Sequence, residues 1–398
     1  MEETGKKLEP ANHLLPCAIV AETSLHHATP PPRAHGAVCT PVARGHICTT
    51  RRRARQYHWR KQYINSDNRY GLPTYKRATY PSKVNVGRLQ KMAPNLPYAH
   101  CETKLRALAG QAEGFGRLAT GGLHGPLYCV TTLADDGPGS LRDACRKKEP
   151  LWIVFEISGE IKLKSILPVS SYKTIDGRGQ WIRITGMGLR LAQCEHVIIC
   201  NLEFQEGRGH DVDAIQIKPN SKHIWIDRCS LKDYSDGLVD VTRGSTDVTI
   251  SRCKFGYHDK TILIGANAGH CDDRNIRVTI HHCLFDGSRQ RLPRVRFAKV
   301  HLYNNYTRYW AIYAVGASVE SQIYSQCNIY EAGRDCNVAF KYIPEKAGDK
   351  NAPSAGIIVS EGDLFLGGTK LSSGLQDGSV FHALLIGSSN REAAGQES

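Results

Sequence analysis

A nine-residue pattern recurs through the middle of the chain and leaves few folds open to it. HVIICNLEF (196–204), HIWIDRCSL (223–231), DVTISRCKF (247–255), RVTIHHCLF (277–285) and KVHLYNNYT (299–307) each carry an apolar pair at their second and fourth positions. Their starts lie 27, 24, 30 and 22 residues apart, and a degenerate sixth copy falls near 321–330 (SQIYSQCNIY). Alternation with period two marks an extended strand with one buried face. Units of this length, separated by turn residues and with no long helical pattern between them, cannot each bury a core alone and must stack. The expected fold class is all-β: a parallel β-helix, or solenoid, whose successive coils lie one strand spacing apart, about 4.8 Å.

Stacking makes columns. The seventh position reads Leu202, Cys229, Cys253, Cys283 and Asn305, and small apolar thiols in a column imply core packing in preference to disulfides. The sequon Asn305-Tyr306-Thr307 falls inside a coil, so Asn305 is expected to face inward and carry no glycan. Ahead of the repeats, residues 102–112 (ETKLRALAGQA) read as a short amphipathic helix, an N-terminal cap for the solenoid, and 114–125 (GFGRLATGGLHG) as a glycine-rich turn region.

The chain has 398 residues and a formal charge of +14, which by itself would suggest a polyanionic partner. Residues 1–91 hold 16 Lys+Arg against 5 Asp+Glu, so 11 of the 14 excess charges lie there. That segment, with PPPR and RRRARQYHWRK and little periodicity, reads as a basic extension without a core of its own. The run Arg51 to Lys61 has the composition of a nucleic-acid patch, but a solvated tail is the favoured reading and nucleic acid is not the expected partner. A solenoid domain is expected over 92–370 and an atypical tail over 371–398. Leu14 to Ala21 (LLPCAIVA) is short and broken by Pro16, a poor export leader, and no run approaches transmembrane length. The 14 cysteines show no CxxC metal spacing.

The chemistry lies in an acidic set at even spacings. Asp211 and Asp213, and Asp236 and Asp240, each fall on one face of an extended segment, and the second pair follows the first by about one coil. Four carboxylates across two neighbouring strands repel one another without a counter-ion, and a hard oxygen-seeking cation such as Ca2+ suits them. The next coils bring the opposite charge: Lys260, then RQRLPRVR (289–296) with four arginines around Pro293. An acidic end followed by fixed cations suits a polyanion with regularly spaced carboxylates. By parity Arg289 and Arg291 share one face and Arg294 and Arg296 another.

From about Pro97 to Gly333 the chain resembles the pectate lyase family, particularly its plant-type members. The resemblance is carried by DDGPGSLRDAC (135–145), YKTIDGRG (172–179), IWIDRCSL (224–231), DGLVDVTRGSTDVTIS (236–251), HDKTILIGA (258–266), RQRLPRVR and VHLYNN (300–305), all in order. It implies a right-handed parallel β-helix and calcium-assisted β-elimination in polygalacturonate. It places the calcium ligands on Asp211, Asp213, Asp236 and Asp240, substrate binding on Lys260, the catalytic base on Arg291 and its supporting, substrate-binding arginine on Arg296. It also implies a cell-wall location, with a monomer expected. The sequence departs from the family at Arg228, where histidine is usual, and at Ala298, where glycine is usual, and its last 30 or so residues match poorly.

Free arginine titrates above roughly 12, so a basic Arg291 needs a crowd of cations around it, and alkaline-favoured activity is expected. A hydrolase on the same architecture would use paired carboxylates, and its glycine-histidine and arginine-lysine signatures are missing. A non-catalytic acidic-polysaccharide binder, or an inactive relative of the lyases, remains the alternative.

Overall fold

The structure, a computed structural model, describes residues 105–371. The basic extension, Met92, residues 102–104 of the expected cap and all but the first residue of the C-terminal tail lie outside the described residues. What is described is a right-handed parallel β-solenoid of three sheets, with ten, eight and nine strands. Strands from successive coils pair in parallel with a constant register: Val197, Ile224, Val248, Val278, Val300 and Ile323 occupy one column of the first sheet. The column is the second position of the sequence repeat, and the degenerate sixth copy joins it through Gln322–Gln326.

Isoleucine and valine line the interior because a branched side chain packs well on a pleated surface stacked at strand spacing. Ile199, Ile226, Ile250 and Ile280 form a second inward column, and Phe204, Leu231, Phe255 and Phe285 line the third sheet, all buried. Phe255 and Phe285 stack with centroids 5.0 Å apart.

The seventh-position column faces inward as expected, behind a turn that bends through left-handed residues Arg228, Arg252, His282, Asn304 and Cys327. Each such non-glycine residue costs roughly 1–2 kcal/mol, and a side-chain ladder offsets it. The backbone N–H of Cys229 donates to Cys253 Sγ at 3.4 Å, that of Cys253 to Cys283 Sγ at 3.4 Å, and that of Cys283 to Asn305 Oδ1 at 2.9 Å. Asn305 N then donates to Asn328 Oδ1 at 2.9 Å, and Asn328 N to Asp363 Oδ1 at 2.8 Å. Asn305 is 5% exposed and its amide donates to the Ile280 carbonyl, so the sequon is interior. The three cysteines are free thiols.

The N-terminal cap differs from expectation. In place of an amphipathic helix, residues Arg106–Gly110 and Gly114–Leu118 form two 3-10 turns laid along the outer flank of the first sheet. Leu105, Leu108, Ala109 and Ala119 bury against Trp152, Ile198 and Trp225. The glycines explain themselves here: a Cβ on Gly122 would stand 1.9 Å from the Leu151 carbonyl oxygen, and one on Gly125 1.9 Å from that of Pro150. The glycine-rich stretch is thus a strap pressed onto strand backbone. The α-helix near this end is Leu141–Arg146, with Ser140 capping it by accepting from Asp143 N at 3.1 Å, and it packs on the strands Leu127–Val130, Leu151–Phe155 and Leu167–Val169. Ala298 is fully buried within the main core. Arg228 pairs with Asp227, a fully buried carboxylate that also accepts from Arg252 Nε at 2.7 Å. No helix among the described residues is long and apolar enough to cross a membrane.

Candidate functional site

The second sheet turns its outer face into the site. Its strands Ile215–Ile217, Gly237–Val241 and Lys260–Ile264 lie side by side, with Gln216 beside Asp240 and Gly237 beside Lys260. Val239, Val241, Ile262 and Ile264 point into the core, so period two sends Asp240 outward.

Asp213, 2% exposed, sits just before its strand, accepting from Gly237 N at 2.6 Å through Oδ1 and from Gln216 Nε2 at 2.9 Å through Oδ2. Gln216 is oriented in turn by Arg190 Nε at 2.8 Å. A Cβ built on Gly237 would stand 2.7 Å from Asp213 Oδ1 and 3.3 Å from Asp240 Oδ1, so both carboxylates close over this glycine. Lys218 Nζ bridges them, 3.9 Å from Asp213 and 3.6 Å from Asp240. Asp236 is ion-paired with Lys260. His258 Nε2 donates to the Asp236 carbonyl at 2.8 Å. Asp211 is exposed, in a left-handed turn. The aspartates and Lys260 thus lie in neighbouring coils on one side of the solenoid, although among the described residues no three acidic, histidine or cysteine side chains stand close enough together to hold a metal ion.

The charge there is unbalanced: four carboxylates face two lysines. Burial, then the Asp213 carboxylate, pushes the Asp240 carboxyl up to about 7. Burial likewise raises Asp213, with the charge of Asp236 adding to it. Burial works against the ionised form of Asp236 as well, but the ion pair with Lys260 holds it below its usual value. A donor set of hard oxygens, two of whose carboxyls are raised because burial and mutual repulsion oppose their ionisation, suits a hard divalent cation such as Ca2+, which would favour the ionised forms.

The arginine run divides more finely than parity alone indicated. Arg289 Nη1 donates to Asp259 at 2.9 Å. Arg294 and Arg296 do share a side, and both grip Glu345, at 2.8 and 2.6 Å. Among the described residues Arg291 alone of the four has no ion pair, and its buried Nε has no hydrogen-bond partner there. It lies in the left-handed region at φ 64°, between the bridge residue Gln290 and the cis Leu292–Pro293 bond, and both Asp236 and Asp240 feel its charge. Tyr313, 2% exposed with its hydroxyl unpartnered, packs in the same cluster, and burial raises its phenol.

Sequence reasoning did not single out Lys218, Gln216, Glu345 or Tyr313. Lys218 was within reach, because it has the same parity as Gln216 on an outward face. Glu345 was not, since nothing local ties it to arginines 49 and 51 residues away.

A family model described as pectate lyase matches residues 156–364, more than half of the chain. The chain is 42% identical over 240 residues to "Probable pectate lyase 4" of Arabidopsis thaliana, covering 58% of this chain and 65% of that protein, a little under two thirds of its length. To Pectate lyase 1 of Ambrosia artemisiifolia it is 37% identical over 273 residues, covering 63% of this chain and 68% of the relative. The crystal structure of jun a 1, the major allergen from cedar pollen, superposes with a TM-score of 0.63 at 32% identity, over 71% of this chain and 91% of the allergen. The chain belongs to the pectate lyase family.

Proposed function

We propose that this protein cleaves polygalacturonate by β-elimination with the help of calcium. In that reaction a base takes the C5 proton of a galacturonate, the released electron pair forms the C4=C5 double bond, and the C4–O4 bond breaks, its oxygen leaving to be protonated from water. Asp213, Asp236 and Asp240, with Asp211 at the rim, would hold the cation, which supplies positive charge against the uronate carboxylate. Lys260, at the neighbouring strand edge, would pair with a substrate carboxylate. Arg291 would take the C5 proton. Arg296 acts through the cluster, since its Nε, Nη1 and Nη2 are engaged by Glu345, Gly265 and Ala266.

The observation that carries this reading is the singularity of Arg291: of four arginines in one run it is the one with no acid partner among the described residues. A guanidinium already neutralised by a carboxylate would resist losing a proton, whereas cationic neighbours favour its loss. One feature favours a non-catalytic binder instead, the pairing of Lys260 with Asp236, which leaves the lysine partly engaged. Incubation with polygalacturonate and calcium separates the readings. Elimination raises ultraviolet absorbance as unsaturated ends form, hydrolysis yields reducing ends without it, and a binder yields neither.

A further inference from the structure

Resting on that reading, we infer that Glu345 is a built-in substitute for a substrate carboxylate, and that it makes the sugar subsite beside Arg294 and Arg296 tolerant of methyl-esterified galacturonate. Glu345 lies on a short antiparallel excursion, Glu345–Lys346 against Pro353–Ser354, between a strand of the second sheet (Phe340–Tyr342) and one of the first (Ile357–Glu361). Its two oxygens do what a uronate would do. Oε2 accepts from Arg296 Nε at 2.6 Å, while Oε1 accepts from Arg296 Nη2 at 2.9 Å and Arg294 Nη2 at 2.8 Å.

The remaining donors of Arg296 are nearly all committed to the protein, and Arg294 adds one bond of its own. Arg296 Nη1 reaches the carbonyls of Gly265 at 3.0 Å and Ala266 at 3.1 Å, and Arg294 Nε reaches Ser318 Oγ at 3.2 Å. A guanidinium has five N–H donors, so Arg296 keeps a single free one, too few for the forked grip that distinguishes a carboxylate from an ester, while Arg294 keeps three. Burial disfavours ionised Glu345, but the two arginines hold its carboxyl below the usual value, so the contact persists over the range in which pectate is charged.

Two bare, half-buried guanidinium groups would demand an anion and penalise a neutral ester that left them unpaired. With Glu345 in place one of the two charges is neutralised and the forked edge of Arg296 is taken, so that demand is much reduced. A galacturonate docking alongside therefore gains less from its own charge, and an ester loses less by lacking it. Glu345 thereby sets specificity by relaxing a requirement.

The test compares equilibrium binding, in constant calcium, of fully de-esterified polygalacturonate and of a partly methyl-esterified preparation, for wild type, Glu345→Gln and Glu345→Asp, each carrying Arg291→Ala so that the polymer is not cleaved during the measurement. Freeing the arginines should raise the preference for the de-esterified polymer roughly three- to ten-fold in Glu345→Gln, and by less in Glu345→Asp, whose shorter side chain reaches one arginine better than two. Melting curves identify folded variants, and if Glu345→Gln does not fold the aspartate variant alone decides. An unmoved or reduced preference in the folded variant overturns the role of Glu345 while leaving the lyase reading intact. A wild type that binds neither polymer overturns both.

Discussion

The solenoid carries two stacks of polar side chains, and they are resolved in opposite ways. The interior ladder from Cys229 through Cys283, Asn305 and Asn328 to Asp363 passes hydrogen bonds from one coil to the next until its polar groups have partners. The exterior set of Asp213, Asp236, Asp240, Lys260 and Arg291 is left with surplus carboxylate, a raised Asp240 and an unpartnered guanidinium nitrogen. The same stacking geometry generates both. A satisfied stack stabilises the coil, whereas an unsatisfied one stores demand for something the protein does not contain.

That contrast can be broken from either side. The largest effect is expected on the exterior: Arg291→Ala should lower the rate of unsaturated-product formation by about 10^3-fold with no loss of thermal stability, and a variant retaining most of its rate would remove Arg291 from the chemistry. On the interior the pattern should invert. Asn305→Ala strands the Cys283 N–H and the Ile280 carbonyl, and denaturant unfolding should register a cost of about 2–4 kcal/mol while activity per folded molecule is kept.

A subtler test follows from the raised carboxyls. Asp213 and Asp240 hold protons to higher pH folded than unfolded, so across the window from 3.8 to about 7 the native state binds more protons and stability falls as pH rises. Asp236, shifted down, acts below that window and does not cancel it. Burial lowers His223, His281 and His301, which act in the opposite sense, so the comparison is with Asp240→Asn: without divalent cation, wild type should lose several degrees more between about pH 5 and pH 8 than this variant, and parallel profiles would show that the exterior stack is not frustrated. The smallest effect should come from Cys253→Ser. A hydroxyl there can still accept from Cys229 N and donate to the Ser251 carbonyl, which the thiol reaches at 3.2 Å, so a change within about 1 kcal/mol is expected.

The repeat pattern was enough to read the strand register and the inward Asn305, because both follow from period-two alternation and stacking, whereas Asp211, Asp213 and Asp236 lie in turns outside the strands, where parity says nothing. The strap was not readable, since RALAG and GFGRL look helical or loop-like until the sheet beneath them is present. Nor could the sequence rank the four arginines. Their difference lies in partners supplied from distant coils, Asp259 for one and Glu345 for two. The basic extension and the C-terminal tail remain as the sequence reading left them, outside the described residues.

Calorimetric titration of calcium into wild type and into the Asp213→Asn/Asp240→Asn double variant probes the unsatisfied stack most directly. The wild type should bind calcium with proton release, more weakly as the pH falls toward about 5, and the double variant should show no such binding. Equal heats from both proteins, or none from the wild type, would contradict the assignment.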